Sequence, residues 1–199
     1  MGDYKVQDVN NDGVINTKDL IALGTYAPKF TYGFNSNFSY KNFDLSFSLI
    51  GVQGRKIYDR MLSSSGLEVG EGFSMASEYY FKNRFDPNDN PSGFLAMPST
   101  ILSAARNATK ASTYSIKDAS YLRIRNVQLA YNISFKTMEK LHISSARIYL
   151  TANNLATFTK YQGLNPDATT VDNNVLTSGQ ASSNYPSARS FVLGFNLTF

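Results

Sequence analysis

Residues 8 to 19 hold the densest set of ligand-type side chains in the chain. Asp8, Asn10 and Asp12 stand at the first, third and fifth places of a loop, with Gly13 sixth. Val14 would offer its carbonyl, Asn16 stands where a ligand often acts through water, and Asp19 closes the loop. Hard oxygen donors at alternate positions let the backbone curl around a hard cation, and Gly13 permits the sharp turn. Asp8, Asn10, Asp12, Val14, Asn16 and Asp19 are therefore the expected ligands of a structural calcium ion. The same run without an ion would be a plain Asn/Asp-Gly turn. Asn16 also suits the N-cap of a short helix over residues 17–23, closed by Gly24.

Nothing comparable points to catalysis. Cys is absent and His142 is the single His, which excludes thiol chemistry, Cys-ligated zinc and most His-based triads. The glycine-rich residues 66–72 lack the Gly-Lys-Ser/Thr of a phosphate loop. Ser63, Ser64 and Ser65 have no positioned base, and Glu78, Asp86 and Asp89 read as solvated loop carboxylates. The chain is not expected to be an enzyme. Its 19 Lys and Arg against 15 Asp and Glu give a net charge of +4 without any basic run, which argues against nucleic acid. At 42% hydrophobic residues it is too apolar for disorder. Its polar first residues lack the form of a signal peptide, and no apolar run of about 18 residues could span a bilayer as a helix. A membrane β-barrel escapes that criterion, because its strands alternate and look polar on average.

Alternation is what the sequence shows most clearly. Phe30, Tyr32, Phe34, Phe38 and Tyr40 share one face, with Gly33, Asn35, Asn37 and Ser39 on the other. After a Lys41-Asn42 turn, Phe43, Leu45, Phe47 and Leu49 alternate with Asp44, Ser46 and Ser48. At the end of the chain Arg189, Phe191, Leu193, Phe195, Leu197 and Phe199 alternate with Ser190, Val192, Gly194, Asn196 and Thr198. Five strands are expected, at 30–40, 43–52, 121–131, 146–154 and 187–199. A helical turn is expected near 137–141. The connections alternate between short (41–42, 132–145) and long (54–120, 155–186), the pattern of an outer-membrane barrel with short periplasmic turns and long outer loops. A soluble antiparallel domain with one buried face would alternate as well. It would not place a row of outward aromatics flush with the chain end.

One strand resists. Arg123 and Arg125 share parity with Val127, Leu129 and Tyr131, so strict alternation would turn both arginines toward lipid, at about 2–4 kcal/mol each at midplane and about 0–1 near the interface. Either they lie at the outer rim or a bulge near Asn126 switches parity. Their place at the start of the strand, on its outer side, favours the rim.

Several segments together resemble the C-terminal part of a TonB-dependent outer-membrane transporter of the SusC/RagA type. They are GDYKVQDVNNDGVINTKDL, APKFTYGFNSNFSYKNFDLSFSLIGVQGRKIYD, YFKNRFDPNDNP, DASYLRIRNVQLAYNIS, ARIYLTANNLATFTKYQGLNPD and YPSARSFVLGFNLTF. Residues 63–75, 99–113 and 169–184 are the least family-like. The resemblance implies an all-β chain supplying about five antiparallel strands of a transmembrane barrel of about 22. Residues 1–29 would form an outer loop around the calcium element, and 30–199 the C-terminal strands with their long outer loops. Five strands cannot close, so the chain would be a fragment, and alone it should transport nothing. The implied function is import of oligosaccharide or peptide across the outer membrane of a Gram-negative bacterium. The implied partners are a SusD-like surface lipoprotein and, through a missing N-terminal part, the TonB complex. Phe195, Leu197 and Phe199 look like the signal read by the barrel-assembly machinery. Tyr58, Tyr79, Tyr80, Phe81, Arg84 and Phe85 are candidates for contact with ligand or lipoprotein. In the calcium loop, Asp at the closing place, where the EF-hand has Glu, is similar to the dockerin version, but a dockerin needs a second copy and none is present. The competing readings are a soluble calcium-stabilised β-domain that binds carbohydrate, and an all-β hydrolase.

Overall fold

The computed structural model describes residues 2–62, 77–98, 107–133, 143–167, 179–181 and 185–198. The expected turn at 137–141, His142, Phe199 and residues 63–75 lie outside them, as do most of 99–113 and 169–184. In chain order the strands are β1 (Phe30–Tyr40), β2 (Phe43–Gln53), β3 (Lys56–Asp59), β4 (Ile116–Asp118), β5 (Tyr121–Ile133), β6 (Ser145–Thr159), β7 (Gln180–Ala181) and β8 (Ser190–Thr198). A single short α-helix among the described residues, α1, covers Glu78–Asn83.

The chain divides into two units. One contains residues 28–54, 119–166 and 185–199, and is a five-stranded antiparallel sheet in the order β1-β2-β5-β6-β8. Phe30 opposes Gln53, Val52 opposes Tyr121, and Tyr121 opposes Thr159. The long connections therefore all leave the sheet at one end. At the other end Lys41 takes a left-handed φ of 53° in the two-residue turn, and Asn42 exchanges backbone and side-chain bonds with Asn132.

The two faces of the sheet differ in kind. One carries Phe34, Phe38, Phe47, Leu129, Leu150 and the β8 row; Leu193 and Phe195 stay 73% and 72% exposed. Aromatic pairs line it, with Phe43 against Tyr131 at 4.8 Å and Phe34 against Phe47 at 5.7 Å. Tyr32 lies over Gly51, where any Cβ would strike the ring. The opposite face is polar and bonded across the strands. Ser39 Oγ donates to Asp44 Oδ1 at 2.7 Å, Asn132 Nδ2 donates to Asp44 Oδ2 at 2.8 Å, and Arg147 stands 3.8 Å from the same carboxylate. Gln128 donates to Thr151 at 2.9 Å, and Asn126 donates to Asn153 at 2.8 Å. Such rungs satisfy polar side chains on a face that would otherwise leave them unpaired.

The two arginines are placed by a bulge, not by the rim. Ser48 opposes Asn126 and the next residue, Leu49, opposes Ile124, so Arg125 is the extra residue on β5. Across from it Asn154, with φ 49°, is extra on β6. Parity reverses there. Arg123 joins Tyr121, Asn126 and Gln128 on the polar face, 8% exposed, and Leu122, Ile124, Val127, Leu129 and Tyr131 stand on the apolar side. The rim expectation rested on their place at the outer start of the strand; a bulge lets one strand serve two parities.

The second unit contains residues 1–27, 55–118 and 167–184, the segments that precede β1 and run between β2 and β5 and between β6 and β8. It is not plain loop. β3 pairs antiparallel with β4 and parallel with β7. Arg55, 6% exposed, ties the three segments: it donates to Asp167 Oδ1 at 3.1 Å and to Tyr26 Oη at 2.5 Å, with its guanidinium 4.3 Å from the Tyr26 ring. The Tyr58 amide donates to Gly179 O, and the Lys56 amide to Thr25 O.

Candidate functional site

The loop at residues 8–19 is closed by its own carboxylates. Asp19 Oδ1 accepts from the Val9 amide at 2.9 Å and Oδ2 from the Asn16 amide at 2.8 Å. Those amides hold the Asp19 carboxyl below the usual carboxylate range, Asn16 most strongly. Asp8 Oδ2 accepts from the Gly13 amide, Asp12 Oδ1 from the Val14 amide, and Asn10 Oδ1 from the Asp12 amide. Asn11 and Gly13, at φ 58° and 79°, supply the two left-handed steps of the curl. The expected helix over 17–23 is shorter: a single 3-10 turn, Thr17–Asp19, with Asn16 and Asp19 as its capping box. Leu20 is already extended, so Gly24 closes nothing.

A hard cation fits the residues present. The donors are all oxygen, and Asp8 Oδ1 is buried without a hydrogen-bond partner. Among the described residues no three His, Cys, Asp or Glu side chains stand together as a metal-ligating group. The amide and carbonyl oxygens of Asn10, Asn16 and Val14 would have to complete the shell.

The expected ligand-contact residues separate by burial. Tyr80 is 1% exposed and donates its hydroxyl to Ala96 O at 2.7 Å, so it belongs to the core of its unit. α1 turns it inward because Ser77 caps the helix and presents Tyr79 and Phe81 on its outer sides. Tyr79 and Phe81 are exposed. Phe94, which sequence reasoning missed, stands edge-on to Tyr79 at 6.4 Å, and only the fold brings these two rings together. Arg84 lies 4.0 Å over the Phe81 ring and 3.7 Å from Asp86. The Asn88 and Asp89 amides, and then Arg84, hold the Asp86 carboxyl below its usual range. Phe85 lines a small cavity with Gly2, Tyr4 and Phe94, and Tyr58 is half-buried in β3. The structure thus brings Tyr79 and Phe94 together as exposed rings, leaves Phe81 exposed beside Arg84, and keeps Tyr58 and Tyr80 out. Phe195 and Leu197 lie on the apolar face of β8.

No family model matches the chain. It is 31% identical over its whole length to a TonB-dependent receptor of Formosa agariphila, of which it covers 20%. It is 29% identical to the TonB-dependent receptor SusC of Bacteroides thetaiotaomicron, over 96% of the chain and 17% of that receptor. Among solved structures it is similar to the RagAB peptide transporter, with a TM-score of 0.73 at 22% identity over 94% of the chain and 19% of that one. That likeness shows the fold. The chain spans about a fifth of the length of the relatives it matches, and those relatives are receptors and transporters, not enzymes.

Proposed function

We infer that this chain, a homologue of TonB-dependent receptors of the SusC/RagA type, forms part of the barrel wall of an outer-membrane receptor that imports a nutrient. The observation that carries the reading is the sheet with one exposed apolar face and one polar, cross-bonded face. An apolar surface of that extent is unstable in water and is what a lipid-facing wall requires. A soluble carbohydrate-binding domain would bury it instead.

In this reading the five strands are the C-terminal strands of a larger barrel in a Gram-negative outer membrane, and Phe195, Leu197 and Phe199 present the assembly signal. The second unit is the outer-loop part, and Tyr79 and Phe81, with Phe94, are the surface for a glycan or peptide ligand or for a SusD-like lipoprotein. TonB would act through parts of the receptor beyond this segment. Calcium, held by Asp8, Asn10, Asp12, Val14, Asn16 and Asp19, would stiffen the loop; its role is structural.

An antibody to residues 155–186 tests the reading on fractionated cells. A band several times larger than 22.1 kDa in the outer membrane is the expected result. A soluble band near the chain's own mass would overturn it.

A further inference from the structure

The polar face of the sheet holds a cavity of about 370 Å³ beside the bulge, lined within one unit by Arg123, Asn154, Thr157, Asn165, Ser187 and Arg189 among others. Its base is preset. Arg123 and Thr157 oppose each other in the β5–β6 register, and Arg123 Nε donates to Thr157 Oγ1 at 3.0 Å. Its Nη2 reaches Asn165 Oδ1 at 3.4 Å, and the guanidinium lies 4.9 Å from the Tyr121 ring. The bulge brings Asn154 to the wall, where its side-chain amide donates to Ala188 O at 3.2 Å and fixes the entry to β8. The next residue is Arg189, which is exposed and stands at the rim of the cavity. Two arginines on one small concave surface, with amide and hydroxyl side chains in the same lining, suit an oxyanion, since the planar fork of Arg matches a carboxylate or sulfate in two parallel bonds.

We propose that this cavity is an oxyanion subsite that takes the carboxylate or sulfate group of a small ligand, with Arg123 as its fixed base and Arg189 as its second cation. It deepens the import reading by naming an acidic substrate class. Binding is read on the chain itself, so loss of the subsite leaves the membrane location standing, and the reverse.

The test is calorimetric titration of the full 199-residue chain in nonionic detergent, its β-sheet content checked by circular dichroism. The probes are a uronic-acid disaccharide, its neutral methyl ester, an acidic dipeptide and inorganic sulfate. At least one organic anion should bind and the ester should not. Arg189→Gln should weaken that binding about tenfold or more, as loss of a charged hydrogen bond requires, without changing the circular dichroism. Arg189→Lys should recover part of it. Preference for the disaccharide or for the dipeptide assigns the anion to glycan or to peptide. Equal binding of the ester, no effect of Arg189→Gln, no binding of any anion, or binding of sulfate as an adventitious ion only would each overturn the proposal.

Discussion

Asn126 donates its side-chain amide to Asn153 Oδ1 across 2.8 Å, the last rung of the register that begins at Ile133 and Ala146, and Arg125 beside them is looped out against β2. Below that point β5 turns Val127, Leu129 and Tyr131 to the apolar side; above it, Leu122 and Ile124. Deleting Arg125 removes the extra residue, joins Ile124 to Asn126 and leaves Leu122 and Ile124 on the apolar face and Arg123 on the polar one. Inserting a Ser after Arg125, with the one-residue bulge kept, would instead return Arg123 to the apolar side, where an Arg facing lipid costs about 2–4 kcal/mol near midplane. The insertion should abolish folding into lipid vesicles, scored by urea titration, whereas the deletion should fold.

Asp44 links three strands through Ser39, Asn132 and Arg147. Asp44→Ala leaves two donors and a half-exposed guanidinium without their acceptor. The expected loss is about 1–3 kcal/mol, read as a lower urea midpoint with an unchanged slope. Asp44→Asn, which keeps one acceptor, should lose less.

Asp19 closes its loop through two amides, so Asp19→Ala should open residues 8–19 to proteolysis while the strands stay protected. Its carboxyl titrates lower in the fold than the ordinary value of 3.8. The group therefore adds stability above that ordinary value, and the contribution fades as pH falls through the lowered one. Protease resistance of the loop should hold at pH 5 to 8 and fade only as pH falls below 3.8 toward the lowered value. Calcium added to chelator-treated protein should raise the melting temperature of the loop's unit, as a ligand bound to the folded form alone must, and Asp8→Ala should remove that rise.

Tyr80 and Phe81 are neighbours with opposite fates. Tyr80→Ala removes a buried ring and should cost about 3–5 kcal/mol, and Tyr80→Phe about 1 kcal/mol for its bond to Ala96. Phe81→Ala and Tyr79→Ala should leave stability within about 0.5 kcal/mol yet weaken capture of glycan, peptide or lipoprotein in a pull-down.

Much of this fold is legible because lipid-style alternation has a period of two, and β1 and β2 stand within a residue of where that period puts them. β6 runs five residues past its expected end, because Leu155 stands off the even-numbered apolar row of Leu150, Ala152, Ala156 and Phe158, and residues 155–159 then read as loop. β8 starts at Ser190, three residues late, where Pro186 and Ser187 precede the first ladder bonds. β3, β4 and β7 are two to four residues long, too short for any period, and β3 finds its partners far along the chain. At the site, the spacing of Asp8 to Asp19 was readable because every contact is local. The Tyr79–Phe94 pair and the Arg123–Arg189 cavity were not, since their members meet only through register.

The central claim, that the apolar face of the sheet meets lipid, is tested most directly at two adjacent residues. The chain has no cysteine, so Leu150→Cys and Thr151→Cys each give a single labelling site on opposite faces. A fluorophore at each, in vesicles with brominated acyl chains, should be strongly quenched at position 150 and hardly at 151, while a water-soluble thiol reagent should favour 151. Equal quenching at both, or labelling of 150 by the water-soluble reagent at the rate of 151, would contradict the account.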